Sequence, residues 1–164
     1  FLSWLLALSL IDLDTMTLPN PLTQSGLILG LVFQGVVGFL PNASSASLVN
    51  QLMAGIVGAV LGIWLFDAII LLGSMVFGQT AMGGGDAKLA AMMGAWLGWK
   101  YLLLAGFLAC ALGAFVGGGA IALGLLNRRQ PMPFGPFLAL GSALTIFLGE
   151  VFLSTYFKLF FPLT

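Results

Sequence analysis

Five acidic side chains are the groups of this chain best suited to chemistry. They are Asp12, Asp14, Asp67, Asp86 and Glu150, and each lies in or beside an apolar segment of the 164-residue chain. A carboxylate at the centre of a membrane helix costs about 2.5–3.5 kcal/mol on insertion scales. Acidic residues in such segments are therefore functional candidates by default.

Composition excludes the other common catalytic systems. The chain has no His and one Cys, so it cannot by itself form a Ser-His-Asp triad, a Cys-His pair or a His-ligated metal site. Cys110 lies in an apolar run, and we expect a small buried side chain there rather than a ligand. We expect no metal and no cofactor, which leaves carboxylates as the acid–base groups.

Two of the acids, Asp12 and Asp86, stand beside chain-bending residues. Asp12 ends an apolar run and is followed by Pro19, and Asp86 follows three glycines and opens another apolar run. A Gly-Gly-Gly-Asp step in an arbitrary protein is typical of a flexible loop with an Asp helix cap. That interpretation weakens here if both acids reach the same membrane face.

Two carboxyl groups held close together provide a specific chemistry. Both cannot ionise easily, so the pair shares one proton. The deprotonated member can activate water while the protonated member polarises a peptide carbonyl. This is the chemistry of aspartic proteases.

The whole composition is that of a membrane protein. Hydrophobic residues make up 60% of the chain and charged residues 6%, and the mean hydropathy is +1.14, which leaves too little polar surface for a water-soluble domain. Five basic and five acidic residues give a net charge of zero. There is no basic patch for a nucleic-acid partner, and the lipid bilayer is the expected surrounding.

Continuous apolar runs predict an all-α bundle of transmembrane helices, because barrel strands would alternate apolar and polar residues. The expected segments, about six, are residues 1–13, 22–40, 52–77, 87–99, 101–126 and 135–160. The first would be only about 20 Å long against a hydrocarbon core of about 30 Å. We expect it to be truncated, with further chain upstream.

The connections between these segments are short. Residues 19–21 (PNP) are expected to stop the first helix, residues 41–50 form a polar loop, and residues 78–85 form a Gly-rich turn. Residues 127–131 (NRRQP) hold the only concentrated charge. No soluble domain or internal repeat stands out.

Counting crossings predicts the topology. Alternation places Asp12, Asp86 and the Arg128–Arg129 pair on one face, and Lys100 and Lys158 on the other. The positive-inside rule favours the first face as cytoplasmic. Trp96 and Trp99, beside Lys100 and Tyr101, are expected to anchor the outer boundary.

Three stretches together resemble the peptidase region of type IV prepilin peptidases, over nearly the whole chain. They are residues 11–14 with 18–20 (IDLD and LPN), residues 83–96 (GGGDAKLAAMMGAW) and residues 133–137 (PFGPF). The GxGD stretch alone is shared with presenilin-like intramembrane proteases. The Asp-to-Pro step and GxGD-x-KL in combination are specific.

The resemblance implies an aspartic endopeptidase of the bacterial inner membrane. Its catalytic residues would be Asp12, seven residues before the Pro, and Asp86, which closes GxGD. The substrates would be precursors of type IV pilins and pseudopilins, cut after a Gly at the cytoplasmic face just before a hydrophobic helix. Residues 1–164 are then one transmembrane peptidase domain.

Many members of that family carry an upstream cytoplasmic domain with a tetracysteine zinc site and an N-methyltransferase activity. This chain has no cysteine pair and no hydrophilic domain. The methyltransferase half is therefore either absent or upstream of these residues, and we assign no methylation to them. The oligomeric state and the particular pilin are not indicated.

Five further residues are expected to support the site or bind substrate: Gly83, Gly85, Lys88, Asp14 and Pro19. Asp14 points away from Asp12 on a continuing helix, which favours a supporting or solvated role over catalysis. Lys88 either balances the charge of the acid site, meets an acidic group of the substrate, or extends to the interface.

Two acids lie apart from this group. Asp67 is expected near mid-membrane, inside the bundle and on another level than Asp12 and Asp86, whereas Glu150 lies deep in the last helix without an assigned role. A relay through all five acids would make the chain a transporter or proton-conducting subunit instead. An assembly scaffold explains the glycines but gives the two same-face aspartates no purpose. Glycine pairs four residues apart predict close helix packing, namely 26/30, 58/62, 94/98 and 113/117.

Overall fold

The computed structural model describes residues 1–39, 45–77, 83–125 and 132–160. These residues form five α-helices. The helices are α1 (Leu2–Thr15), α2 (Asn20–Phe39), α3 (Ser45–Phe77), α4 (Gly84–Ala122) and α5 (Gly135–Phe160). The all-α class predicted from the apolar runs is confirmed.

The first helix ends earlier than the prolines predict. Met16 adopts a left-handed conformation (φ 51°, ψ 30°) and its N–H donates to the Asp12 carbonyl, which closes α1 three residues before Pro19. The second proline, Pro21, instead lies in the first turn of α2, where a missing N–H costs no hydrogen bond. The PNP stretch therefore begins a helix rather than stopping one.

The polar stretch of residues 41–50 is only partly a connection. Residues 45–50 already belong to α3, so the predicted loop is wrong for them. A helix can extend beyond the hydrocarbon core of the membrane, because its backbone hydrogen bonds are made within the helix itself. Residues 41–44, residues 78–82 of the Gly-rich turn and the 127–131 stretch lie outside the described residues.

The predicted segments 87–99 and 101–126 correspond to the two halves of the continuous element α4, which joins two helices at a kink, so the six predicted segments appear as five helical elements. The element is kinked at Gly98, whose φ of 73° and ψ of 170° are not helical. This left-handed φ is accessible to Gly because it has no Cβ. The bend lies two residues before Lys100, close to the break that the sequence predicted between the two segments.

The chain reverses direction at this kink. Before it, α4 runs antiparallel to α3, with Gly94 beside Gly58 and Ala90 beside Gly62. After it, α4 runs antiparallel to α5, with Tyr101 beside Gly149 and Phe137 beside Gly113. The starts of α4 and α5 therefore lie at one end of the bundle, and the kink lies at the other end, which we call the far end.

This order agrees with the crossing count made from the sequence. Asp12 and Asp86 lie at the first end, and Lys100 and Lys158 lie toward the far end. Arg128 and Arg129 are outside the described residues. Within the part of the chain that the structure describes, four helices, α2 to α5, are long and apolar enough to cross a membrane.

Small residues allow the helices to approach closely, as their spacing predicts. A Cβ added at Gly58 or Gly94 would collide with the backbone of the facing helix, and one added at Gly26 would meet the Met92 side chain. Many of the fully buried apolar side chains lie along α4, including Leu89, Met92, Met93 and Leu102. In lipid there is no hydrophobic driving force between helices, so the close packing that small residues allow holds them together.

Two side chains differ from their expected environments. Cys110 is exposed on α4 and not buried, because an apolar run does not reveal which side of a membrane helix faces lipid. Trp96 is packed between helices instead of anchoring an interface: its Nε1 donates to the Gly26 carbonyl at 2.7 Å. Trp99 and Lys100 are exposed, and the Lys100 ammonium lies 5.6 Å from the Trp99 ring centroid.

Candidate active site

Asp12 is buried in the last turn of α1, with 5% of its surface exposed. Its Oδ2 accepts a hydrogen bond of 2.9 Å from the backbone N–H of Gly135, the first residue of α5. A Cβ at position 135 would lie 2.6 Å from the same oxygen. Glycine is therefore needed for α5 to approach the carboxylate, and the N-terminal end of a helix favours negative charge there.

Asp86 is buried in the first turn of α4, with 6% of its surface exposed. Its backbone N–H donates to the Gly83 carbonyl at 3.1 Å, which forms the opening turn of the helix. The GxGD stretch thus delivers Asp86 at the start of a helix and directs it into the bundle. The alternative interpretation of the Gly-Gly-Gly-Asp step, a flexible loop with Asp86 as a helix cap, does not fit this burial.

The two aspartates face the same site. They lie on different helices at the same end of the bundle, and the negative charge of Asp12 acts on the carboxyl group of Asp86. Two buried carboxyl groups in this relation favour a state with one proton between them. Among the described residues, no cluster of three or more His, Cys, Asp or Glu could hold a metal ion.

Two contacts tie the helix of Asp86 to the chain that follows Asp12. Gly85 packs against Leu18, and a Cβ there would lie 3.0 Å from the Leu18 Cβ. The Lys88 ammonium donates to the Asn20 side-chain oxygen at 2.6 Å. Lys88 thus contacts the first residue of α2, which sequence reasoning did not foresee.

The other predicted supporting residues have looser surroundings. Gly83 has no neighbour that a Cβ would crowd, and Gly84 has none within 4 Å, so close approach requires glycine only at Gly85. The Pro19 carbonyl accepts the Thr23 N–H at 3.2 Å and so begins α2. Asp14 is exposed on α1, away from the buried Asp12, as its spacing predicts.

Asp67 does not lie inside the bundle, so that expectation is wrong. Its side chain is exposed, and the register that pairs Gly62 with Ala90 places it level with the start of α4 rather than near mid-membrane. The reason is that α3 begins at Ser45, well before the apolar run. Glu150 is also exposed, near the far end. A continuous relay of acids through the interior of the bundle is not formed by Asp67 and Glu150.

Two residues of the site were missed from the sequence. Gly135 was noted only within the PFGPF stretch, although a Gly between prolines at a helix start indicates a close backbone approach. Asn20 carries no signal of its own, because nothing in its spacing shows that it meets Lys88. Its role depends on a contact between residues 68 positions apart.

The fold and the site together define a class: a polytopic helix bundle with two buried, interacting aspartates at one end. Comparison with protein families gives the same answer. The model of the type IV leader peptidase family matches residues 1–118, and the chain belongs to this family. The resemblance found in the sequence motifs is therefore confirmed.

Individual relatives cover most of the chain. It is 37% identical over 150 residues to a prepilin leader peptidase/N-methyltransferase of Aeromonas hydrophila, covering 91% of this chain and 48% of the relative. The protein of the same name from Bacillus subtilis (strain 168) is 36% identical over 162 residues, covering 97% and 58%. The one from Pseudomonas putida is 39% identical over 152 residues, covering 91% and 49%. The chain spans about half the length of these curated relatives, and no solved structure matches it.

Proposed function

We propose that this chain is the peptidase part of a membrane aspartic endopeptidase that removes the leader peptides of type IV prepilins and pseudopilins. Cleavage follows a Gly at the cytoplasmic membrane face, just before the hydrophobic helix of the substrate. The observation that carries this proposal is the burial of Asp12 and Asp86 at one end of the bundle, where the Gly135 N–H donates a hydrogen bond to the Asp12 carboxylate. Family membership supports the substrate class.

On this proposal, Asp12 and Asp86 divide one proton between them. The ionised carboxylate removes a proton from water, and the protonated carboxyl donates a hydrogen bond to the scissile carbonyl. Water oxygen adds to the carbonyl carbon, the C–N bond breaks, and the amine leaves with a proton. The Gly135 N–H holds the Asp12 carboxylate in place through this cycle.

The position of the pair suits a substrate cut beside its own helix. Both aspartates lie within one turn of a helix end, so a peptide can reach them without deep entry into the bundle. An extended peptide bond next to a helix already exposes the backbone that hydrolysis needs. A substrate whose cut site lies mid-helix would first have to unwind.

Residues 83–88 and 18–20 hold the two carboxyl groups at a fixed separation. The Gly85–Leu18 packing and the Lys88–Asn20 hydrogen bond both join the chain after Asp12 to the helix of Asp86. Catalysis is sensitive to such placement, since an error of about 1 Å can cost about 100-fold in rate. We assign Lys88 and Gly85 this positioning role, and no catalytic role to Asp14 or Pro19.

The test is cleavage of a pilin precursor by the purified protein in detergent, with the new N-terminus mapped by mass spectrometry. We expect one cut, directly after the leader Gly, with the wild type. Asp86→Asn should give no product, whereas Asp67→Asn, which removes an exposed acid on the neighbouring helix, should cut at the wild-type rate. Cleavage elsewhere, or none by the wild type, would refute the substrate assignment.

A further inference from the structure

The first half of α4 carries Asp86. This half comprises residues 84–97, and it ends at the kink at Gly98. Asp86 precedes Gly98 by 12 residues, or about 18 Å of helix at about 1.5 Å per residue. A rotation of about 3° at the kink would therefore move the start of this helix by about 1 Å.

The second half of α4 holds Asp12 through α5. The Asp12 carboxylate accepts the Gly135 N–H, and α5 packs on residues 99–122, where Gly141 lies against the Ala105 carbonyl. The helix of Asp12, α1, packs more extensively against α5 than against α2. The two carboxyl groups are thus attached to opposite sides of one kink, and the geometry of the kink relates their positions.

Gln34 of α2 binds the kink from the neighbouring helix. The last carbonyl groups of a helix have no partner within it, and Trp96 lies two residues before Gly98. The Trp96 carbonyl accepts a hydrogen bond of 3.0 Å from Gln34 Nε2. Because the Gln34 side chain is buried, loss of its amide would leave this carbonyl unpaired away from water, which is costly. The kink would then adopt another geometry that pairs the carbonyl.

A second hydrogen bond keeps the first half of α4 on α2. Trp96 Nε1 donates to the Gly26 carbonyl at 2.7 Å, and the Trp96 ring packs against Gly30. These contacts do not involve Gln34. A change at Gln34 therefore acts on the kink and not on the attachment of the whole helix.

We propose that Gln34 is a positioning residue for the peptidase reaction: by pairing the Trp96 carbonyl it fixes the kink, and thereby the separation of the Asp12 and Asp86 carboxyl groups at the opposite end of the bundle. The effect on cleavage rests on the proposed function, whereas the effect on the separation does not depend on the substrate. An error of about 1 Å in such a placement can cost about 100-fold in rate.

The first measurement is cleavage of a pilin precursor by Gln34→Met, which keeps the size of the side chain and removes the donor. We expect kcat to fall by about tenfold, because one hydrogen bond can shift a population by about that factor. KM should be unchanged, since the contacts with substrate are not altered. The matched control is Gln24→Met, the same change at an exposed position of α2, which should cleave at the wild-type rate.

The second variant changes the kink itself. Gly98 has a φ of 73° and a ψ of 170°, a conformation that is essentially restricted to glycine. The nearest atoms to an added Cβ belong to Ala54 and are 3.7 Å away, so Gly98→Ala changes the backbone without a collision. Its control is Gly124→Ala, at a glycine with the same φ of 73° that follows α4 and lies outside the kink.

The second measurement reports the separation without any substrate. Spin labels are attached to Asp14→Cys and Gly84→Cys, each two residues from one of the aspartates, and their distance is measured by electron paramagnetic resonance. Cys110 is exposed and is replaced by alanine in this background. We expect a shifted or broadened distance distribution in Gln34→Met and a larger change in Gly98→Ala. Both controls should keep the wild-type distribution.

The outcomes separate this inference from the proposed function. A wild-type distance distribution in both Gln34→Met and Gly98→Ala would overturn the inference, and so would a loss of rate in Gln34→Met at an unchanged distance. Thermal unfolding in detergent shows whether each variant is folded, and Gly98→Ala decides alone where Gln34→Met is not. Failure of the wild type to cleave the precursor would refute the substrate assignment, and the spin-label distances would still decide the role of Gln34.

Discussion

The two ends of the helix bundle hold their acidic side chains in opposite ways. Asp12 and Asp86 are buried, each beside a glycine that lets backbone come close. Glu150, at the far end, is exposed. Burying a carboxyl group is costly unless its surroundings compensate. The compensation at the aspartate end indicates that the fold maintains this pair for a purpose.

The comparison also separates glycines that are required from those that are only permitted. Gly135 touches the Asp12 carboxylate and Gly94 touches the backbone of α3, whereas Gly84 and Gly118 have no atom within 4 Å of an added Cβ. Glycines of the same helices thus differ in function. Substituting them by alanine in matched pairs isolates the effect of position.

The largest effect outside the aspartates is expected for Gly135→Ala. The added Cβ would lie 2.6 Å from Asp12 Oδ2, so the carboxylate must move and its hydrogen bond is lost. We expect cleavage to fall by roughly 100-fold, the cost of a displacement of about 1 Å, measured as kcat on a pilin precursor.

Gly84→Ala is the control for that prediction. Gly84 lies in the first turn of α4, two residues from Asp86, but has open space around it. Its alanine variant should cleave within about twofold of the wild type, because surface substitutions away from packed contacts change little. An equal loss in both variants would show that any change near a helix start impairs the enzyme.

A loss of stability, more than of activity, is expected for Gly94→Ala. Its Cβ would collide with the Gly58 backbone, so α3 and α4 must separate, at a cost of about 1–3 kcal/mol for overpacking. Thermal unfolding in detergent should show a midpoint lower by several degrees. Gly118→Ala should leave the midpoint unchanged, and a Gly94→Ala midpoint equal to the wild type would contradict the close packing.

How far the sequence predicted this molecule depends on whether each feature is local. Apolar runs gave the helices, and α5 begins and ends at the predicted residues 135 and 160. Counting crossings also placed Asp12 and Asp86 at one end. These predictions need only length and order along the chain.

Features that depend on which side of a helix faces inward were not predictable. Lipid-facing and buried sides of these helices are both apolar, so the pattern did not show that Cys110 and Asp67 face outward. The Gly135–Asp12 and Lys88–Asn20 hydrogen bonds join residues 123 and 68 positions apart. Such contacts follow from the register of helices, which a single sequence does not reveal.

The smallest effect is expected where Lys88 meets Asn20. Both side chains are exposed, so Lys88→Met and Asn20→Ala should each lower kcat by about three- to tenfold, which corresponds to the net contribution of about 0.5–1.5 kcal/mol of a typical hydrogen bond. The double variant should be no slower than either single one, because both changes remove the same contact. Lys158→Met, the same change in the last turn of α5, should have no effect, and independent losses in the double variant would argue against the contact.

The central claim is that Asp12 and Asp86 act as one catalytic unit, and single-turnover cleavage by Asp12→Asn, Asp86→Asn and the double variant tests it most directly. Residues that act as a unit lose as much singly as together. We predict a rate at least about 1,000-fold lower in each single variant, no further loss in the double variant, and normal thermal unfolding in all three. Wild-type cleavage by either single variant would contradict the account.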